Sequence, residues 1–568
     1  MYLKKNKSGK RIHLLIVDGY YDKETKRVRT VTVKTLGYLD ELQKQYPDPL
    51  VHFQTEVDEM NRQKAIDSIP AAIKFNKHER LVKDSSLRKN IGYAALSRLY
   101  HDLKLPIFFN NISRRWESQY SINSIMRLLV FSRILDPASK MQTYNHKEMY
   151  IDKTDFTLAD IYRCLSQVIQ VKSELTAHLH KSMNEEFGRT GDVVYYDVTN
   201  FYFEIDEQDE LRRRGVSKEH RPDPIIQMGL LTDSQGIPIT FDTFPGNTLD
   251  CQTYLPLFKQ VRGDFTLGRI IIVADKGLNT ADNIAHCILS GNGYVLAQKI
   301  RNSNQDLQDF VLDPKGYRTL DDGFKIKSRL YPRTLNVTDI CGKKQKVNVD
   351  EKQVIFYSPD YAKKAKFERS ELAAKARDLV ANPSKYQKAT AYGAAKYVKN
   401  LVFDEKSGEI LIASSKPILD EAKLIEEELL DGYYAIVTSE WKKTDEDILD
   451  IYRGLWQIED AFRICKGDLQ ARPIYLSRPE RINAHLMVCF ISLVISRLLV
   501  RALDNQFSIS RIASSLARAS GSHMGQNWYV FDHTDEVTKA IHEKMGIDLG
   551  RKYMTRGDIR SLIGDTKK

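Results

Sequence analysis

Hydrophobic and polar positions change period several times along the chain, and each change marks an element. Within the first 36 residues, Arg11-Ile12-His13-Leu14-Leu15-Ile16-Val17 and Arg27-Val-Arg-Thr-Val-Thr-Val33 alternate as strands do, in a Lys- and Arg-rich setting. From about 90 to 188 the period lengthens to that of helices. Apolar residues recur at helical spacing over 122–135 and stop at Asp136-Pro137. Thr157-Leu-Ala-Asp160 has the form of a capping box, opening a run through Ile161, Leu165, Val168 and Ile169. Strand signals then return. Val193-Val-Tyr-Tyr-Asp-Val198, 225–232 and 237–241 predict an antiparallel meander, with Asp233-Ser-Gln-Gly236 as the second turn. The segment 265–268 leads into Arg269-Ile-Ile-Ile-Val-Ala274, whose continuous apolar run suits a strand buried on both faces. Lys276-Gly277 then turns the chain into a helix near 280–289, and 293–298 is a further strand.

From about 300 to 430 the chain is more polar and its elements are mixed. Strand signals fall at 324–330 and 353–358, and charged helical runs at 361–381 and 418–430. A hairpin joins Leu401-Val-Phe403 to Ile410-Leu-Ile412 through Glu405-Lys-Ser-Gly408. The stretch reads as an inserted domain, closed by a strand at 433–438. A strong helix is predicted over 445–466 and a second, buried one over 479–503. The most apolar run, 486–500, carries Arg497 and is short for a bilayer span. Residues 506–568 are mixed. There is no internal repeat and no low-complexity tract.

At 568 residues the chain is expected to hold three or four domains. Its 42% hydrophobic content is that of a soluble globular protein rather than a disordered scaffold. The 86 Lys and Arg against 75 Asp and Glu leave a formal charge of +11, which favours a polyanionic partner. The six cysteines, Cys164, Cys251, Cys287, Cys341, Cys465 and Cys489, include no Cys-x-x-Cys pair, so they read as reduced thiols in a cytosolic protein. Met1-Tyr2-Leu3-Lys4-Lys5 leads into no apolar signal-peptide core. The expected location is the cytoplasm.

Three carboxylates stand out. Asp197 sits among Val193, Val194 and Val198, where an ionised group is costly unless paired or metal-bound. Asp275 follows the apolar run at 270–274, hence at a strand's C-terminal end, where α/β sheets place ligand groups. Glu459 lies on the helix of Ile451, Tyr452, Leu455, Ile458 and Phe462. Seven residues are nearly two helical turns, so Tyr452, Glu459 and Lys466 line one stripe, with Arg463 one turn beyond Glu459. Phosphodiester cutting by two divalent metals roughly 3.5–4 Å apart needs several carboxylates at one point, because hard cations take oxygen ligands. Each residue also has a plainer reading. A strand Asp is more often a turn or edge residue, and a Glu with Arg at i+4 is most often a surface pair.

At these residues the sequence resembles the DDE transposases of bacterial insertion sequences, in the branch with a Tyr–Arg–Glu–Lys signature. That signature runs Tyr, two residues, Arg, three residues, Glu, six residues, Lys. Tyr452-Arg-Gly-Leu-Trp-Gln-Ile-Glu459-Asp-Ala-Phe-Arg-Ile-Cys-Lys466 matches Tyr, Glu and Lys in register, but Leu455 stands at the Arg position, with Arg453 or Arg463 as a replacement. Tyr196-Asp197-Val-Thr199 is similar to the family's first motif and Val273-Ala-Asp275-Lys-Gly277 to its second, and Pro245-Gly-Asn247 fits the same alignment.

The resemblance, which covers about 190 to 500, implies an α/β, RNase H-like mixed sheet flanked by helices and interrupted before its last acidic helix by a strand-rich insertion. The gap from Asp275 to Glu459 is more than twice that from Asp197 to Asp275, which agrees. The domain plan is then a basic, β-containing region at 1–89 and a helical DNA-binding domain at 90–188. A catalytic core follows at 189–299, an insertion domain at 300–432, the second part of the core at 433–505, and a C-terminal region at 506–568 whose candidate role is oligomerisation. The resemblance implies two Mg2+ (or Mn2+) ions held by Asp197, Asp275 and Glu459. Tyr452, Lys466, Arg463 and Lys276 would position phosphates. Trp456 or Trp441 would stack on an unpaired base, the plainer reading of each being a packed aromatic. In relatives with such an insertion, it helps hold a DNA hairpin. The expected function is cutting at insertion-sequence ends and joining them to target DNA by phosphoryl transfer. The partners are double-stranded DNA and a second copy in the DNA complex, without a membrane. The alternatives are a nuclease of the same fold that never joins, and a non-catalytic DNA-binding descendant of a transposase.

Overall fold

Nine strands drawn from residues 193–438 form one mixed sheet in the computed structural model. They are β1 (Val193–Tyr202), β2 (Ile225–Asp233), β3 (Pro238–Pro245), β4 (Ile271–Ala274), β5 (Gly293–Gln298), β6 (Arg318–Thr319), β7 (Lys325–Leu330), β8 (Lys352–Tyr357) and β9 (Tyr433–Thr438). Their spatial order is β6-β7-β8-β9-β5-β4-β1-β2-β3. Within it, β3-β2-β1-β4-β5 is an RNase H-like sheet: β2 runs antiparallel to β1 and β3, while β1, β4 and β5 are parallel. The structure describes residues 1–8, 11–22, 27–67, 78, 80, 88–152, 154–189, 191–219, 221–264, 268–301, 303–320, 323–338, 344–382, 392–400, 402–403, 410–411 and 417–567. The predicted segment 265–267, the turn of the 401–412 hairpin and Cys341 lie outside them, although Val402–Phe403 does pair with Ile410–Leu411.

The sheet's two faces follow the alternation of its central strands. Val194, Tyr196 and Val198 of β1 join Ile272 and Ala274 of β4 in a core with residues of two helices, α1 (Asp250–Asp264) and α2 (Ala281–Leu289). Tyr195, Val273 and Val295 belong to the opposite core, with α3 (Asp445–Arg453), α4 (Trp456–Lys466) and α5 (Pro479–Ala502). Helix α5 is long and apolar enough to cross a membrane, with mean hydropathy 1.8, but 89% of its apolar window is buried inside the protein. Ile161, Leu165 and Val168 of the helix opened by Thr157 belong to the same core, and both arms of that predicted capping box are made. Among the described residues, the helices of 90–188 thus share their core with the sheet rather than enclosing a separate one.

The sheet does not stop at the expected edge of the catalytic core. β9 pairs with β5, and β8, β7 and β6 of the 300–432 segment continue antiparallel beyond it. Ile326, Val354 and Phe356 enter the same core as Tyr195 and Val273. Part of the segment therefore extends the catalytic sheet. Another part, the helix Pro359–Ala381 with Tyr392–Ala395, has a small core of its own around Ala376, Leu379, Ala394 and Tyr397. Near the C-terminus, Ser520–Gly525, Trp528–Phe531 and Tyr553–Thr555 form a four-stranded sheet with Arg88–Asn90.

The chain divides into two compact units, Met1–Leu81 with Met524–Gln526 and the remainder. The first contains an antiparallel sheet of Tyr2–Ser8, Arg11–Asp22 and Arg27–Tyr38, and a core of Leu14, Leu42 and Phe53. Residues 29–35 are exposed on both faces, unlike the half-buried strand their alternation predicts, because this sheet's core gathers at Leu36 and Leu39 instead.

Candidate active site

Asp197 and Asp275 are brought together by register. β1 and β4 are parallel neighbours with Tyr195 opposite Val273. Counting two residues on from each places both aspartates on the face covered by α3, α4 and α5. Asp197 Oδ1 accepts from the Val198 amide at 2.7 Å and lies 3.9 Å from Lys218 Nζ. Burial pushes its carboxyl up to about 6, with Asp275 and Asp250 adding to the rise and Lys218 and the Val198 amide opposing it. Asp275 is exposed and begins the turn Lys276–Leu278, accepting through its backbone carbonyl from the Leu278 amide at 3.1 Å.

Glu459 arrives on α4, and the expected single helix over 445–466 is interrupted on the way. Between α3 and α4 the Leu455 amide bonds to the Tyr452 carbonyl, three residues back, at 3.0 Å, a local tightening to 3-10 geometry. The cause comes from β1. The Tyr195 hydroxyl donates to the Ile451 carbonyl at 3.1 Å, the acceptor that a regular helix would have given to Leu455. Gly454 makes room for it, since a Cβ there would lie 1.9 Å from that hydroxyl oxygen. Glu459 is exposed in the first turn of α4, and Leu455 is buried in the core.

Tyr452 lies within the electrostatic reach of the three acids. Burial, then Asp275, Glu459 and Asp197 in that order, hold its phenol well above the usual range. Sequence reasoning missed four polar residues around this group. Asp250, the first residue of α1, has its carboxyl raised by burial and by Asp275, against Lys218. Lys218, Glu219 and Arg472 lie on loops whose polar composition carries no periodic signal. Lys466 points toward them, its Nζ 3.4 Å from Glu219 Oε1, and burial lowers it to about 8, helped by Lys218. Arg472 pairs with the same Glu219 oxygen.

The family described as "Transposase DDE domain" matches residues 208–495. The chain belongs to the DDE transposases. The description "IS1634 family transposase, N-terminal domain" matches residues 3–72. The enzyme is therefore a DNA transposase of a bacterial insertion sequence, one that cuts and joins DNA. None of the curated proteins matches it in sequence. Among solved structures, the transposase is similar to a piggyBac transposase synaptic complex with hairpin DNA, at 7% identity and a TM-score of 0.36, covering 89% of this chain and 80% of that one. It is also similar to a Mos1 transposase paired-end complex with left transposon end, at 12% identity and a TM-score of 0.14, covering 42% of this chain and 66% of that one.

DDE transposases depend on divalent metal ions. Among the described residues of this transposase, no three His, Cys, Asp or Glu side chains stand close enough together to hold one. The donor chemistry nevertheless fits: the carboxylates are hard oxygen donors, and burial, with a smaller push from Asp275 and Asp250, disfavours the ionised Asp197, a penalty that a divalent cation would offset. The remaining predicted site residues are spread out. Arg463 is largely exposed and tied to Asp460 at 2.8 Å and Asp468 at 3.3 Å. Lys276 is exposed beside Asp275. Trp456, 60% exposed, opens α4 one turn before Glu459, whereas Trp441 is 46% exposed on the connection between β9 and α3, with Lys442 Nζ 5.0 Å from its ring. Arg453, a candidate replacement for the missing signature Arg, covers the Phe324 ring and pairs with Asp450.

Proposed function

We propose that Asp197, Asp275 and Glu459 are the metal-holding carboxylates with which this transposase cuts insertion-sequence ends and joins them to target DNA. The observation that carries the reading is the register that sets Asp197 and Asp275 on one face of the sheet, the face covered by α4 with Glu459. Two Mg2+ ions, when bound, would supply an activated hydroxyl and charge stabilisation at the leaving oxygen. The protein's own part is positional. Asp197 and Asp275 are fixed by strand register, and Glu459 is carried in by α4, which starts just after the α3 turn that Tyr195 grips. Lys466, Tyr452, Arg463 and Lys276 orient backbone phosphates, and Trp456, nearer to Glu459 in sequence than Trp441, stacks on an unpaired base. The basic first unit and the helices of 90–188 contribute DNA contacts, and the working complex is a homodimer on paired ends in the bacterial cytosol or nucleoid.

The test uses Asp197→Asn, Asp275→Asn and Glu459→Gln with a duplex carrying the element end. Each variant should lose cleavage in Mg2+ while binding the duplex about as well as the parent. One variant that cleaves normally removes that residue from the centre. A strand-transfer assay on precleaved ends separates a transposase from a nuclease that never joins.

A further inference from the structure

Two cations beside the acidic group converge on one carboxylate oxygen. Lys466 Nζ lies 3.4 Å from Glu219 Oε1, and the Arg472 guanidinium donates to the same atom. Both stand near the end of β1, a few residues along the strand from Asp197. Lys466 Nζ is 5.7 Å from the Phe201 ring centre and the Arg472 guanidinium 5.7 Å from that of Tyr202.

The cations and the carboxylate are held very differently. Lys466 closes α4, and the chain folds straight back onto that helix. The Leu469 amide bonds to the Ile464 carbonyl at 2.9 Å and the Ala471 amide to the Cys465 carbonyl at 3.0 Å. Leu469 and Ala471 are buried. Arg133 donates to the Leu469 and Gln470 carbonyls, and the His485 ring meets the Ala471 carbonyl at 3.1 Å. Arg472 is therefore fixed by the core. Glu219 sits on the 203–224 connection between β1 and β2, next to a Val216 that is 80% exposed. Its local anchors are polar: Ser217 Oγ accepts from the Glu219 and Arg221 amides, and Asn200 donates to the Val216 carbonyl at 3.2 Å. The Glu219 and Arg472 side chains each keep 28% of their surface open to solvent.

Fixed cations converging on one partly accessible carboxylate oxygen match the recognition of a phosphodiester oxygen. We propose that Lys466 and Arg472 form a phosphodiester subsite, and that Glu219 fills it in the free protein and leaves when a DNA phosphate enters. The subsite rests on reading Asp197, Asp275 and Glu459 as the active centre beside it. Every binding event must then break the Glu219 pairs, so the carboxylate weakens DNA binding while keeping the subsite ordered.

The experiment measures binding of the full chain to an element-end duplex, in EDTA, across a salt series. Glu219→Gln keeps the side chain's shape and removes its charge. It should bind about tenfold tighter, with a salt slope steeper by about one unit, because the entering phosphate no longer replaces an internal anion. Arg472→Ala should bind about tenfold weaker with a slope flatter by about one unit, and Arg472→Lys should recover the slope. Thermal melting identifies any variant that has lost its fold, and the Arg472 pair decides the matter if Glu219→Gln has. Unchanged or weaker binding by a folded Glu219→Gln, or an unchanged slope for Arg472→Ala, overturns the proposal. Asp197→Asn, measured in parallel, separates the two readings. Loss of its cleavage supports the active centre whatever Glu219 does, and normal cleavage sinks the centre while leaving the subsite data to stand alone.

Discussion

Leu455 stands where the Tyr–Arg–Glu–Lys signature that the sequence resembles has an arginine, and it is 8% exposed within the main core. A guanidinium there would be buried without a designed partner, so Leu455→Arg should destabilise the fold by about 3 kcal/mol or more rather than tighten DNA binding. A stable, tighter-binding Leu455→Arg in parallel melting and binding measurements would show that this face of the helix has been misassigned. Asp197 allows a test of opposite sign. Burial pushes its carboxyl up to about 6, above the ordinary carboxylate value of about 3.9. The folded state thus holds the proton more tightly than the unfolded chain, and the stability this brings is complete below about pH 3.9 and lost as pH rises through 6. Asp197→Asn, which cannot ionise, should therefore be more stable than the parent in EDTA at pH 8, by about 2 kcal/mol, with the gap closing toward pH 4. Adding Mg2+ at pH 8 should reverse the order, because only the parent gains the stabilisation of a bound ion. Identical melting of the two proteins at pH 8 in EDTA would mean that burial does not strain this carboxylate.

The central elements were legible because their patterns are local. The continuous apolar run at 270–274, the alternation around Asp197 and the Thr157 capping box each point to the element that forms, and the first two put one aspartate just past a strand's end and the other within a strand. The interruption between α3 and α4 was not legible, because its cause lies some 250 residues away in Tyr195. The residues Gly454 and Leu455 alone read as an uninterrupted helix. Lys218, Glu219 and Arg472 were missed for a related reason: loop residues are placed by the contacts of a few polar atoms, and no period records them. The Tyr195 notch predicts its own variants. Gly454→Ala puts a methyl group into the Tyr195 ring and hydroxyl, which should cost about 1–3 kcal/mol and shift the start of α4, lowering cleavage more than duplex binding. Tyr195→Phe removes one hydrogen bond, worth about 1 kcal/mol, and leaves the ring in place, so its effect should be the smaller of the two. A Gly454→Ala protein that melts and cleaves like the parent would show that the contact does not set the helix.

At the scale of the molecule, the segment 300–432 divides between sheet and excursion, a division that depends on strand pairings far apart in sequence. β8 pairs with β9 from Lys352 opposite Thr438 to Tyr357 opposite Tyr433, and the Ser358 amide donates to the Gly432 carbonyl at 2.9 Å. Residues 359–431 therefore leave and re-enter the sheet at adjacent points, as the loop of a very long hairpin would. The strands before them are built into the fold, since Ile326 and Val354 are fully buried and Phe356 nearly so. Removing each such side chain from the core forfeits about 1.5–3 kcal/mol, and a domain holds only about 5–15 kcal/mol in reserve. Two deletions should consequently behave in opposite ways. Replacing 359–431 by an Asn-Gly turn, which suits a two-residue hairpin, should leave a soluble protein with one cooperative melting transition. It loses the packing of Tyr361 on Tyr434 and the burial of Leu430, so its midpoint should fall by several degrees rather than vanish. Replacing 300–432 by a short linker strips β6, β7 and β8 from the sheet and bares the edge of β9. That chain should aggregate or melt without cooperativity. If the larger deletion folds as well as the smaller, the strands of this segment are an appendage after all, and the catalytic sheet ends at β9.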